Sequence, residues 1–179
     1  TLTDDEEVEF SLTPVTIEIF YIFDCLYKPN YMFLTKIRSK ESGVLLYGIT
    51  PPKAQTESEK LKDIAERALN RLCALDIDAL VVYDVQDESA RTAEERPFPF
   101  ANSLDPFEYS SQYLQRLSVP KIIYRPAGKF TKEELALWLQ GLKTHGFYPI
   151  FVGLPTPDYV VKTSLKEAYE IWRKEHEDH

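Results

Sequence analysis

The sequence predicts an α/β protein made of parallel βα units, and three observations lead there. From Gly43 onward a short apolar run, a polar loop, a capping signal and an amphipathic segment follow one another four times. The run from Ala79 to Val82 is apolar without interruption, as in a strand buried on both faces. That run then empties into Tyr83, Asp84, Gln86, Asp87, Glu88 and Arg91, which is how α/β proteins present polar groups on a rigid sheet. Strands alternating with helices assemble as a parallel sheet, each joined to the next by a right-handed crossover.

Val44 to Ile49 reads as the first strand, and Thr56 with Glu59 three residues on reads as a capping box. Leu61, Ile64, Ala65, Ala68 and Leu72 recur at helical spacing and give the following helix one buried stripe. Ala79 to Val85 is the second strand. Asp105 followed by Pro106 starts the next helix, because proline is tolerated where the first N–H has no helical partner. Its face is Tyr109, Tyr113, Leu114 and Leu117. Ile122 to Arg125 is the third strand, Thr131 with Glu134 caps the third helix, and Gly146 ends it. Pro149 to Gly153 is the fourth strand. Ser164 with Glu167 opens a last helix carrying Leu165, Ala168, Tyr169 and Trp172 on one side.

A closed eight-unit barrel takes about 200 to 250 residues, so four units fit either half of a TIM-type (β/α)8 barrel or an open doubly wound sheet. In both, ligands gather at the carboxyl ends of the strands. Residues 1–34 do not follow the repeating grammar and form an extension of unassigned structure. Residues 35–179 are the βα domain.

Composition excludes several functions. There are 21 Lys and Arg against 29 Asp and Glu, a formal charge of −8, and no basic stripe that could track a phosphate backbone. Nucleic acid is therefore not an expected partner. Cys25 and Cys73 stand alone, with no spacing for a zinc site and no support for a disulfide framework, which suits a cytoplasmic setting. Val15 to Leu34 is apolar but broken by Glu18, Asp24, Lys28 and Pro29, so no membrane span is expected. Thr1 to Glu9 is acidic where a secretory signal begins with positive charge, and the missing initiator Met suggests that Thr1 is not a natural start.

The strand ends supply the candidate site: Thr50, Pro51, Pro52 and Lys53 from the first unit, Asp84 to Arg91 from the second, Tyr124 and Arg125 from the third, and Gly153 from the fourth. Arg91 and Arg125 are suited to a phosphate or carboxylate, or else they pair with Asp84, Asp87 or Glu88 and hold the loops. Asp84, Asp87 and Glu88 are also the residues that would chelate magnesium. Lys53 is the reactive group of the first loop, and Arg96 to Phe100 reads as a rigid lid or packing segment. No glycine-rich phosphate loop is present.

YGITPPK (Tyr47 to Lys53), the segment Asp76 to Phe100, LDPFEY (Leu104 to Tyr109) and FVGLP (Phe151 to Pro155) together resemble the methylenetetrahydrofolate reductase family. The resemblance spans about Phe33 to Trp172 and covers the first four units of a barrel. It implies a flavin-dependent oxidoreductase of one-carbon and methionine metabolism that moves a hydride from NAD(P)H through FAD to a folate-like acceptor. On this reading the strand-end residues Tyr83, Gln86, Asp87, Arg91, Thr92 and Tyr124 are expected toward the cofactor, and Lys53 and Arg125 toward the substrate; Tyr83 and the Arg91-Thr92 pair fit the family. It also shows departures. The general-acid glutamate of the first strand falls on Gly48, the flavin-contacting threonine on Val82, and the Arg-Gly-Asp segment on Leu154, Pro155 and Thr156. The rival expectation is a noncatalytic barrel relative that binds a ligand. Strands five to eight are absent, which implies an incomplete chain or a protomer that pairs with another half as a homo-oligomer.

Overall fold

The computed structural model describes residues 30–85, 101–153 and 160–176. Within them the chain forms α1 (Asn30–Arg38), β1 (Leu46–Ile49), α2 (Ser58–Cys73), β2 (Ala79–Val82), α3 (Pro106–Tyr113), β3 (Lys121–Pro126), a 3-10 turn (Ala127–Lys129), α4 (Lys132–His145), β4 (Tyr148–Val152) and α5 (Leu165–His176). The four strands pair in the order β1-β2-β3-β4, every pair parallel. Each predicted strand is present, within a few residues of its expected ends. The order contains no reversal, and a reversal is what a doubly wound sheet requires.

Strand register sorts the side chains into two faces. Ile49, Leu80, Val82, Ile123 and Phe151 share the face that packs on Leu61, Ala65, Leu69 and Leu72 of α2, Tyr109 of α3, and Leu139 and Leu142 of α4. Right-handed crossovers between strands laid down in sequence order put all these helices on one side. The opposite, inner face carries Ala79, Val81, Ile122, Tyr124, Tyr148 and Ile150. Among the described residues its cover is α1, whose Phe33 meets the Tyr148 ring edge-on at 5.9 Å. Lys36 of the same helix pairs with Asp78 at 2.5 Å, and Asp78 accepts from Leu45 N at 2.8 Å, so α1 is tied to the amino ends of β1 and β2. This helix was not expected from the sequence, and it runs across position 34.

Local signals explain most element ends. Asp105 Oδ1 accepts from Phe107 N and Glu108 N, with Pro106 in the first turn. Thr131 and Glu134 form the reciprocal capping box, and Gly146 closes α4 at φ 66°. Ser164 and Glu167 cap α5 in the same way. The Thr56 box does not form: α2 begins at Ser58, with Glu57 as its cap residue and no side-chain bond to the free N–H groups. On α5 the buried side is Ala168 with Ile171 and Trp172, while Leu165 and Tyr169 are about half exposed. Cys73 is disulfide-bonded, contrary to the expectation from the cysteine spacing. No described helix is long and apolar enough to cross a membrane.

Candidate functional site

The carboxyl ends of β1 and β2 are locked together past the last strand residues. Tyr83 N donates to Ile49 O at 2.9 Å, which carries the β2 backbone one residue beyond its ladder with β1. The turn Thr50-Pro51-Pro52 then meets the segment that precedes α3. Leu104 N donates to Pro52 O and Ala54 N to Asn102 O, both at 2.8 Å, forming an antiparallel bridge between Lys53 and Ser103. Ser103 N and Oγ both donate to Val85 O, so the three segments form one rim.

On the inner face of this rim lie two aromatic rings. Tyr83 and Tyr124 stand with centroids 4.8 Å apart and planes inclined by 60°. Tyr83 is 39% exposed, so one ring remains open to a ligand while backed by the other. The ring of Tyr83 lies directly over Gly48, where a Cβ would meet its Cε2 at 2.6 Å. The glycine at the position expected to hold a carboxylic acid is therefore filled by a phenol from the neighbouring strand.

Arg125 follows Tyr124 and so points to the opposite, helix-covered side. Its Nη1 donates to Asp105 Oδ2 at 2.8 Å and to Asp84 Oδ2 at 3.4 Å. The guanidinium lies 4.7 Å from the ring centroids of both Phe130 and Trp138, and the side chain is 6% exposed. It is committed to tying the end of β2, the start of α3 and the face of α4, and it does not join the Tyr83–Tyr124 surface. Asp84, its side chain 1% exposed, accepts from the same guanidinium. Sequence reasoning named Asp84 as a partner but missed Asp105, which uses one oxygen as helix cap and the other as ion-pair acceptor.

Lys53 is exposed on the first loop and lines a groove of about 380 Å³ between the end of β1 and α2, together with Ile49, Pro52, Lys60, Ile64 and Arg71. Gln86, Asp87, Arg91 and Thr92, and with them Glu88, the lid Arg96 to Phe100 and the Leu154-Pro155-Thr156 segment, lie outside the described residues. Among the described residues no group of three or more acidic, histidine or cysteine side chains is placed to hold a metal.

Neither a family model nor a curated protein matches the chain. Among solved structures it is similar to an uncharacterized protein from Clostridium thermocellum that binds two copies of 5-methyl-5,6,7,8-tetrahydrofolic acid. The identity is 37% and the TM-score 0.64, over 80% of this chain and 44% of that one. The chain thus spans less than half the length of that protein. The chain is therefore similar to part of a folate-binding protein.

Proposed function

We propose that this chain binds a reduced folate by its pterin ring, on the inner face of the sheet at Tyr83 and Tyr124, without reducing it. The similarity to a protein that binds 5-methyltetrahydrofolic acid carries the reading. Flat heteroaromatic rings are held well by tyrosines, which give ring area at low conformational cost and keep a hydroxyl for polar contact. Reduction of a methylene folate calls for a proton donor, and position 48 offers none.

The wider architecture of this reading is the first half of a βα barrel of the methylenetetrahydrofolate reductase type. Helices on one face, apolar residues on the other and strands in sequence order support it. The described residues fit FAD poorly. Val82, at the position of the flavin-contacting threonine, has no hydroxyl and is fully buried toward the helices.

Calorimetric titration with 5-methyltetrahydrofolate tests the proposal. Saturable binding is expected, weakened about tenfold or more in Tyr83→Ala and Tyr124→Ala, since stacking of this kind is worth roughly 1 kcal/mol or more per ring. A folded protein that gives no heat with the folate would overturn it. A yellow preparation that oxidises NAD(P)H with methylenetetrahydrofolate as acceptor would replace it with the reductase reading.

A further inference from the structure

Three cations without carboxylate partners mark a second place on this acidic molecule. Lys53, Lys60 and Arg71 line the groove between β1 and α2, and among the described residues none of them has a carboxylate within ion-pair distance. Arg71 donates through Nε to the Arg67 carbonyl, a neutral partner. Nearby cations are treated differently: Arg67 pairs with Asp63 and Arg116 with Glu66. In a chain of formal charge −8, a groove lined by three such cations selects for anions. Its floor is apolar, formed by Ile49, Ile64 and Ala68. The fitting ligand is therefore an apolar or aromatic body ending in carboxylates.

We propose that this groove holds the aminobenzoyl-glutamate end of the reduced folate, with Lys53 and Lys60 facing its carboxylates and Arg71 adding to the field. The inference rests on the reading that the pterin lies at Tyr83 and Tyr124. The two places are opposite sides of one strand end. Tyr83 N donates to Ile49 O within the sheet; the Tyr83 ring lies on the inner face beside Tyr124, and Ile49 lines the groove on the other. Thr50, which follows Ile49 and itself lines the groove, is where such a ligand would cross the rim.

Two ligands separate the outcomes: 5-methyltetrahydrofolate, and the same reduced methylpterin lacking the aminobenzoyl-glutamate. In wild type the full ligand binds more tightly, and raising salt from about 0.05 to 0.5 M weakens only the full ligand. Lys53→Gln with Lys60→Gln lowers affinity for the full ligand about tenfold, as two partly exposed charge pairs would, and leaves the tailless pterin unchanged. These exposed substitutions should leave the urea midpoint in place, which checks folding. Equal affinity of wild type and the double variant for the full ligand would overturn the groove assignment while the pterin site stands. Failure of wild type to bind either ligand would remove both.

Discussion

The ring of Tyr83 stands where a side chain on Gly48 would project: a Cβ at position 48 would meet Tyr83 Cε2 at 2.6 Å and the hydroxyl oxygen at 3.1 Å. The two positions are diagonal neighbours on one face of the β1–β2 pair, Gly48 standing opposite Val81, and both cannot be occupied with the ring where it is. Gly48→Ala is expected to push the partly exposed ring aside and cost about 1 kcal/mol of stability, through lost contact with Tyr124. Folate affinity should fall with it. Adding Tyr83→Ala should make a second substitution at position 48 nearly silent, which urea unfolding of the single and double variants will read. Additive costs would mean that the ring and position 48 do not compete.

Arg125, itself 6% exposed, holds two carboxylates from different elements, Asp84 buried and Asp105 30% exposed. Arg125→Met removes the contacts to Asp84, whose side chain is 1% exposed, and to Asp105, and a loss of about 3 to 5 kcal/mol is expected. Arg125→Lys should recover little, because a single ammonium cannot reproduce the fork or the stacking between Phe130 and Trp138. Arg125→Met combined with Asp84→Asn should be milder than the sum of the two single changes. Strict additivity in that cycle would show that the pair is not coupled.

Lys121 sits on the helix-covered face of β3 at 5% exposure, with Nζ donating to Leu117 O at 2.5 Å and lying 5.4 Å from the Phe147 ring. Burial lowers its pKa from 10.5 to about 8. The folded state therefore releases this proton before the unfolded chain does, and stability should rise as pH increases from about 8 to 10.5. Below pH 8 the charged amine burdens the fold by roughly 3 kcal/mol at most. Lys121→Met should raise the unfolding midpoint at pH 7 and flatten the alkaline rise. A Lys121→Met protein that keeps the same rise would assign it to another group.

Glu167 behaves in the opposite sense. Its hydrogen bond with Lys132, followed by those from Ser164, lowers its pKa from 4.5 to about 2. The stabilisation it gives to the docking of α5 on α4 is present above about pH 4.5 and is lost as pH falls toward 2. The two side chains are 55% and 39% exposed, so the effect is small and weakened by salt. Glu167→Gln should abolish this part of the acid titration, as followed by the carboxyl resonances and by Trp172 fluorescence.

Capping was legible only where chain direction after the cap was local. Thr131→Ala should cost about 1 kcal/mol because its oxygen accepts from Glu134 N, whereas Thr56→Ala should be almost neutral because α2 starts two residues later. Circular dichroism through thermal unfolding compares the two; equal losses would contradict the assigned helix start.

Hydrophobic periodicity and caps were enough to determine the four parallel βα units, most helix starts, and the placement of Tyr83, Lys53 and Tyr124 at strand ends, since these depend on neighbours within a few residues. Register alternation was also implicit, yet the separation of Tyr124 from Arg125 onto opposite faces mattered only once helices were seen to cover one side. The tertiary structure alone decided that Arg125 is spent on Asp84 and Asp105, that the ring of Tyr83 fills the space above Gly48, and that Lys53 turns into a groove with Lys60 and Arg71. Each of these is a contact between residues far apart in the chain. Such contacts are set by which strands and helices pack together, and no local pattern of residue types encodes them.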